Sequence, residues 1–382
     1  VPQQLVLDSI KYWANDLQVD GFRFDLAAAL GRDERVHFDP GHPLLLALRD
    51  DPALRDVKLI AEPWDVGMGG WQTGNFPSGW TEWNDGYRGT VRDFWLTDVE
   101  AMRHSSHPPA GIGRLSAAMS GSADIFSTER GPLASLNFVT AHDGFTLADL
   151  TAYNVKHNLG NGEQNRDGTS DNRSFNFGVE GDTRDPRVLE DRRRAMRNLM
   201  GTLLLSAGVP MITAGDEYGR TQRGNNNAYC HDSDLTWLSW LHSDWQRELE
   251  DVVRTLLRLR RENPALRPLR YAVRDQATMH ATERSWYSAE GHPMADHDWH
   301  SSMNRTVQFL ASSTPTTETP NSVLVVVHGA EYVKHVSMPH HDGITDYELL
   351  WTSADDAAVG QRLAAGETHL LDGPAMAVFR AS

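Results

Sequence analysis

The pattern of apolar and polar positions divides the 382-residue chain into two parts. Leu5, Ile10, Trp13 and Leu17 recur at helical spacing and predict an amphipathic helix over 3–17. The apolar run VDGFRF (19–24) then reads as a strand, followed by a helical stretch over 43–54 and a second strand, VKLIAE (57–62). WTEWND (80–85) is a third strand, leading into the helix RGTVRDFWL, and SLNFVTAHD (135–143) is a fourth. After a long polar loop the strongest helical pattern spans 189–206 and is stopped by Gly208 and Pro210. VPMITAGDE (209–217) is a fifth strand, and another helix spans 245–261. Strands alternating with helices in this way predict parallel β/α units.

Beyond Asn263–Pro264 the pattern changes to short alternating segments such as TVQFLA and SVLVVVHG. The expected organisation is therefore an α/β catalytic part over 1–263 and a small all-β domain over 264–382, with STPTTETP (313–320) as a surface loop. A closed (β/α)8 barrel needs eight strand–helix units, and five are visible. Either the sheet is open, or three units lie upstream of Val1. The chain opens directly in a helical pattern, without Met, so upstream sequence is expected.

The net charge of −16 argues against nucleic acid or an anionic membrane surface as partner. It is compatible with a neutral, polyhydroxylated ligand, as are the twelve tryptophans, although acidity serves solubility equally well. No apolar run is long enough to cross a bilayer. Cys230 is the only cysteine, which excludes an intrachain disulfide and a cysteine zinc site and points to a reducing, cytoplasmic setting.

Candidate chemistry lies where the strands end. Asp25, Glu62, Asn84 with Asp85, His142 with Asp143, and Asp216 with Glu217 each follow an apolar run. In parallel β/α architectures the carboxyl ends of the strands converge on the active site. The competing reading is that Asp and Asn cap the following helices; it weighs most for Asp216 and Glu217. Grouped carboxylates without paired metal-binding histidines suit glycoside hydrolysis, in which one carboxylate attacks and another carries a proton. Alternation places Arg23 and Asp25 on one face of their strand, where the guanidinium would keep the carboxylate charged. Glu62 stands in AEPWD beside Pro63 and Trp64, a poorly solvated setting that suits a general acid.

GFRFD, AEPWD and FVTAHD, in this order, resemble conserved regions of the α-amylase superfamily. The longer runs LIAEPWDVG, GNFPSGWTEWND, VTAHDGFTLADL, NGEQNRDGTSDNRSFN and GNNNAYC resemble its isoamylase-type glycogen debranching enzymes across nearly the whole chain. The resemblance implies strands four to eight of a (β/α)8 barrel and a small all-β domain. It implies Asp25 as nucleophile, Glu62 as general acid/base and Asp143 as transition-state stabiliser, with Arg23 and His142 positioning Asp25 and the sugar. The reaction implied is retaining hydrolysis of α-1,6 branch linkages in glycogen or limit dextrin, without cofactor or metal. The family's first conserved region, its first three barrel strands and its N-terminal β-sandwich have no counterpart here. The strand at 19–24 would then have a free edge, open to self-association. Other readings are a pullulanase-like hydrolase, a transglycosylase, or an inactive glucan-binding remnant.

Weaker candidates are Trp64, Trp80 and Trp83 as sugar-stacking faces and Asn84 as a hydroxyl partner, against core packing and turn formation; for Tyr87 core packing is favoured. The loop EQNRDGTSDNRS has a faint calcium-loop spacing, but Ser174 stands where a bidentate Glu is needed. A substrate-facing loop is the expectation there. Cys230 is expected to be buried and inert, and His292, His297 and His300 to lie on a surface loop.

Overall fold

A computed structural model describes residues 2–271, 282–313, 321–354 and 359–382. The loop expected at 313–320 lies almost wholly outside the described residues. The first part is built on five short strands: β1 (Gly21–Phe24), β2 (Lys58–Ala61), β3 (Trp80–Asn84), β4 (Ser135–Phe138) and β5 (Val209–Met211). They form one sheet in sequence order, and every neighbouring pair is parallel. The register runs Arg23 against Ile60, Ile60 against Thr81, Asn84 against Asn137 and Phe138 against Met211. All five strands therefore present their carboxyl ends at one edge of the sheet. The strand predicted over 135–143 stops at Phe138, and the residues from Val139 to Asp143 form the loop beyond it.

Local chemistry explains the elements. Gly21 is required because a Cβ there would stand 2.8 Å from the Lys58 Cβ and 2.9 Å from the Lys58 carbonyl oxygen across the pair. Helix α1 (Pro2–Asn15) precedes β1, and α2 (Pro43–Asp50) precedes β2. Asn84 closes β3 and caps α3 (Asp85–Arg92), its Oδ1 accepting the Tyr87 N–H at 2.8 Å. After α3 the chain makes a wider π turn over 93–97 before α4 (Asp98–His104), and α5 (Gly113–Met119) follows. Short α6 (Leu147–Leu150) begins after Thr146, and α7 (Pro186–Leu205) starts at Pro186 behind the cap Asp185. Leu249, Val253, Leu256 and Leu259 form the buried stripe of α8 (Asp244–Glu262).

The second part is antiparallel. Strands β6 (Thr282–Tyr287), β7 (Thr306–Ser313), β8 (Ser322–His328), β10 (Asp346–Thr352), β11 (Arg362–Ala364) and β13 (Ala375–Ala381) form a sheet in the order β11-β10-β13-β8-β7-β6. Strands β9 (Val333–Ser337) and β12 (Thr368–Asp372) pair separately. His297 and His300 lie on short helix α9 (Asp296–His300) instead of a loop, and both are exposed, as is His292. The sheet shares a core with the α/β part: Val307, Phe309, Val325 and Val378 pack into one cluster with Leu199, Leu203 and Leu256.

Helix α1 differs from its expected orientation. Val6, Leu7, Ile10 and Ala14 face the cluster formed with α2, while Leu5, Trp13 and Leu17 are 70%, 49% and 48% exposed. Three of the four positions that defined the apolar stripe thus lie uncovered among the described residues.

One buried ion pair joins the two parts. Arg305 donates to Asp98 at 2.6 Å, with side chains 1% and 5% exposed, and its guanidinium lies over the Phe94 ring at 3.7 Å. Burial pulls the Arg305 pKa down to about 10. Arg305→Met leaves Asp98 buried without its cation, so urea denaturation should show a loss of about 3–5 kcal/mol. A loss below about 1 kcal/mol would show that the pair is not a clamp between the two parts.

Candidate active site

The carboxyl edge of the sheet brings Asp25, Glu62 and Trp83 around one guanidinium. Arg23 points from β1 toward the residues just beyond β1 and β2: its Nη1 donates to Asp25 Oδ1 at 2.6 Å, and its Nη2 lies 2.9 Å from Glu62 Oε2. The ring of Trp83, from β3, lies beneath the guanidinium at 4.5 Å. Trp83 also meets Trp64 edge-on at 6.4 Å, Phe138 at 5.4 Å and His142 at 5.8 Å. Trp83, from β3, is thus the floor on which residues from the three strands β1, β2 and β4 and their loops converge.

The two carboxylates differ in setting. The Asp25 side chain is 73% exposed, whereas that of Glu62 is 10% exposed and also accepts the Leu26 N–H at 2.7 Å. The charge pair expected within a buried strand is therefore open on the Asp25 side, because Asp25 lies one residue beyond β1. Glu62 is poorly solvated, as expected from AEPWD, and also has the Arg23 guanidinium and the Leu26 N–H as polar partners. His142 and Asp143 are both exposed at the rim.

Trp80 is buried against Phe24 and Phe76, and Tyr87 is buried with its hydroxyl 2.9 Å from the Ser206 Oγ. The candidate sugar face of Trp83 is covered by Arg23, and the side chain is buried. Asn84 is fully buried and its Nδ2 donates to the hydroxyls of Ser122 and Ser135 at 2.9 and 2.8 Å, so its hydrogen bonds are used internally. Trp64 remains half-buried at the edge. Cys230, expected to be buried, is exposed because it ends a short surface turn over 228–230.

Beside Asp143 a cavity of about 490 Å³ opens, lined by Asp85, Arg88, Arg92, Arg114, Arg173 and the loop residues Gly168 and Asn227. These arginines directly follow no strand end and carry no motif that marks them in the sequence. Only spacing could have disclosed two of them: Arg88 and Arg92 stand four residues apart along the helix after β3, Arg92 at its end. Arg92 is buried, its pKa drawn down to about 9 by burial and by the nearby Arg88, and it donates to the Val139 and Asn172 carbonyls at 2.8 and 3.0 Å. Among the described residues, no group of three or more His, Cys, Asp or Glu side chains could hold a metal ion.

Charged side chains beneath the rim fix the loops. Arg32 and Asp65 form a two-pronged pair at 2.7 and 2.6 Å that ties the loop after β1 to the loop after β2, and Arg32 holds the Asp65 carboxyl below its usual range. Buried Glu82 pairs with Arg130 and accepts the Gly74 and Phe76 N–H groups at 2.6 and 3.2 Å; burial nevertheless raises its pKa. Asp216 is neither a cap nor at the rim. It is buried, accepts the Leu147 N–H at 2.9 Å and pairs with the Thr140 hydroxyl, so it anchors the loop that carries Asp143.

Burial pushes the Asp216 carboxyl up to about 6 from an ordinary 3.8, and Asp149 likewise. A carboxyl whose folded pKa is raised contributes stability that is present below the unfolded pKa and lost as pH rises through the folded one. The thermal midpoint should therefore carry a component that declines from about pH 4 to pH 6. Asp216→Asn should flatten this component; an unchanged pH profile between wild type and variant would remove Asp216 as its source.

No family model matches the chain. It is 43% identical over 364 residues to the "Glycogen operon protein GlgX homolog" of Mycobacterium bovis, which covers 92% of this chain and 48% of that protein. It is also 43% identical over 311 residues to the "Glycogen debranching enzyme" of Yersinia enterocolitica, covering 81% of this chain and 44% of that protein. The chain thus spans about half the length of the curated relatives it matches. The pullulanase structure from Bacillus acidopullulyticus superimposes with a TM-score of 0.68 at 20% identity, covering 99% of this chain and 40% of that one. A pullulanase from an Anoxybacillus species, complexed with maltotetraose, gives a TM-score of 0.65 at 21% identity over 100% of this chain and 46% of that one.

Proposed function

From the relationship of this chain to the isoamylase-type glycogen debranching enzymes, we propose that it is the part of an α-1,6-glucan hydrolase that carries the catalytic carboxylates. The observation that carries the reading is the Arg23 guanidinium placed between Asp25 and Glu62, with His142 and Asp143 at the same sheet edge. Two carboxylates on neighbouring nitrogens of one guanidinium are close neighbours, which suits a retaining pair at about 5–5.5 Å better than an inverting pair with water between them.

In this mechanism exposed Asp25, oriented by Arg23, attacks the anomeric carbon of the branch. Glu62 protonates the departing O6 of the main chain and later takes a proton from the water that releases the glycosyl-enzyme. Asp143 accepts hydrogen bonds from sugar hydroxyls that strengthen as positive charge develops on the ring, and His142 orients the same sugar. Trp83 acts from below by supporting Arg23, and Trp64 is the aromatic face left to meet a glucose ring. The substrate is glycogen or another branched α-glucan; nucleic acid and membrane play no part, and the setting is cytoplasmic.

The five parallel strands are read as the last five of an eight-stranded barrel within 1–263, with 264–382 as the all-β domain. Among the described residues β1 has a strand on one side only and α1 carries uncovered apolar side chains, which favours a second statement: this chain alone is weakly active and open to self-association. Linear chains released from glycogen limit dextrin at the rate of a full-length relative would overturn that statement. Glu62→Gln should lower kcat by about 10²–10⁴-fold while maltooligosaccharide binding persists. Unchanged turnover would remove Glu62 as the acid. A product pattern from pullulan and linear maltooligosaccharides matching that from limit dextrin would favour the pullulanase-like or transglycosylase alternative.

A further inference from the structure

The loop that carries His142 and Asp143 has no secondary structure of its own between Phe138 and Leu147, so its shape is set by what it is tied to. One tie comes from the asparagine run 225–227. The Gly144 N–H, next to Asp143, donates to the Asn226 carbonyl at 2.9 Å. Gly144 itself sits at φ +90°, where a side chain would strain the backbone.

Asn226 is 1% exposed and every polar atom of it is used. Its backbone N–H donates to Asn158 Oδ1 at 3.0 Å while its own Oδ1 accepts from Asn158 Nδ2 at 2.8 Å, a reciprocal amide pair. Its Nδ2 donates to the Thr169 carbonyl and to Asn172 Oδ1, both at 2.8 Å. Asn158 is fully buried and continues the network to the Asp167 carbonyl at 3.0 Å. Asn172 in turn offers its carbonyl to Arg92, whose Nε holds the Val139 carbonyl at the start of the Asp143 loop. A closed circuit therefore runs from the Asp143 loop through Asn226, Asn172 and Arg92 and back to the same loop. Buried networks of this kind rigidify what they hold as far as their members are satisfied; here Asn226 and Asn158 are, while Asn172 Nδ2 has no partner among the described residues. Asn227, Gly168 and Thr169, the next residues along these segments, line the cavity beside Asp143.

We propose that Asn226 is a positioning residue for the Asp143 carboxylate, acting through Gly144, and that it sets the wall of the adjoining cavity at the same time. This rests on the reading of Asp143 as the transition-state group. Asparagine is the residue that the position demands. An aspartate would keep the acceptor for Asn158 but would turn a carboxylate oxygen toward two acceptors, Thr169 O and Asn172 Oδ1.

The test uses the full 382-residue chain with Asn226→Asp and Asn226→Ala. Asn198→Ala serves as control, since it removes a buried amide that donates to the Pro374 carbonyl at 2.9 Å, a bond to the antiparallel part. Hydrogen exchange followed by mass spectrometry should show the peptide spanning 140–148 exchanging at least about tenfold faster in both Asn226 variants, with β8 and β13 unchanged. On limit dextrin, kcat should fall about 10–100-fold with KM within about twofold, because the loss concerns placement in the transition state. Asn198→Ala should leave kcat near wild type. Unaltered exchange of the loop in the Asn226 variants would overturn the proposal, as would an equal fall in kcat for Asn198→Ala. If the wild-type chain hydrolyses nothing, the proposed activity fails by itself, and the exchange comparison still decides whether Asn226 holds the loop.

Discussion

The site depends on where one cation can rest. Arg23 lies on a strand whose other face, Phe22 and Phe24, packs into the cluster beneath α1 and α2, so its side chain is directed to the inner surface of the sheet. A guanidinium half removed from water is costly unless its charge is met. Asp25 and Glu62 meet it from the loops beyond two neighbouring strands, and the Trp83 ring supports its flat face. The two carboxylates thereby become neighbours through a third group. Residues 37 positions apart in sequence acquire a fixed mutual geometry from two parallel strands paired as Arg23 with Ile60.

Around that pair the rim is irregular backbone, and irregular backbone needs its hydrogen bonds made elsewhere. Side chains beneath the rim make them. Glu82 holds Gly74 and Phe76, Asp65 grips Arg32, and Asp216 holds Leu147 from below the loop that carries Asp143. Each is a charged or polar group placed in a poorly solvated position and satisfied there. This division of labour gives the site exposed reacting groups on loops that are nevertheless fixed by buried ones, as preorganisation requires.

Sequence patterning found all five strands of the parallel sheet because each is a short apolar run ending in a polar residue. Propensity could not find where β4 ends. Val139, Thr140 and Ala141 look like strand residues, but the chain turns at Phe138 because Arg92 and Asp216 take their bonds from the loop that follows. The residues that line the rim were legible: Arg23, Asp25, Glu62, His142 and Asp143 all stand at one edge. Their supports were not, since Glu82–Arg130 and Arg32–Asp65 join loops distant in sequence and carry no local periodicity. Asn84 and Trp83 carried two readings each, and only packing distinguishes them: a fully buried Asn with three internal partners is a cap, and a Trp beneath a guanidinium is a floor.

The same limit explains helix α1. An apolar stripe in sequence says that a face seeks burial, without saying against what. Ile10 found α2, while Leu5, Trp13 and Leu17 found nothing among the described residues. In the long segment between β5 and α8, Tyr229, Trp237, Trp240 and Leu241 are likewise exposed. Large apolar side chains are normally left in water singly, so such groups are a specific pattern. A parallel strand is ordinarily buried on both faces and paired on both sides, and among the described residues β1 and β5 each have a strand on one side only. The uncovered side chains of α1 therefore form an apolar surface open to packing. That surface is the feature of this chain itself on which the proposed dependence of activity on additional strands rests.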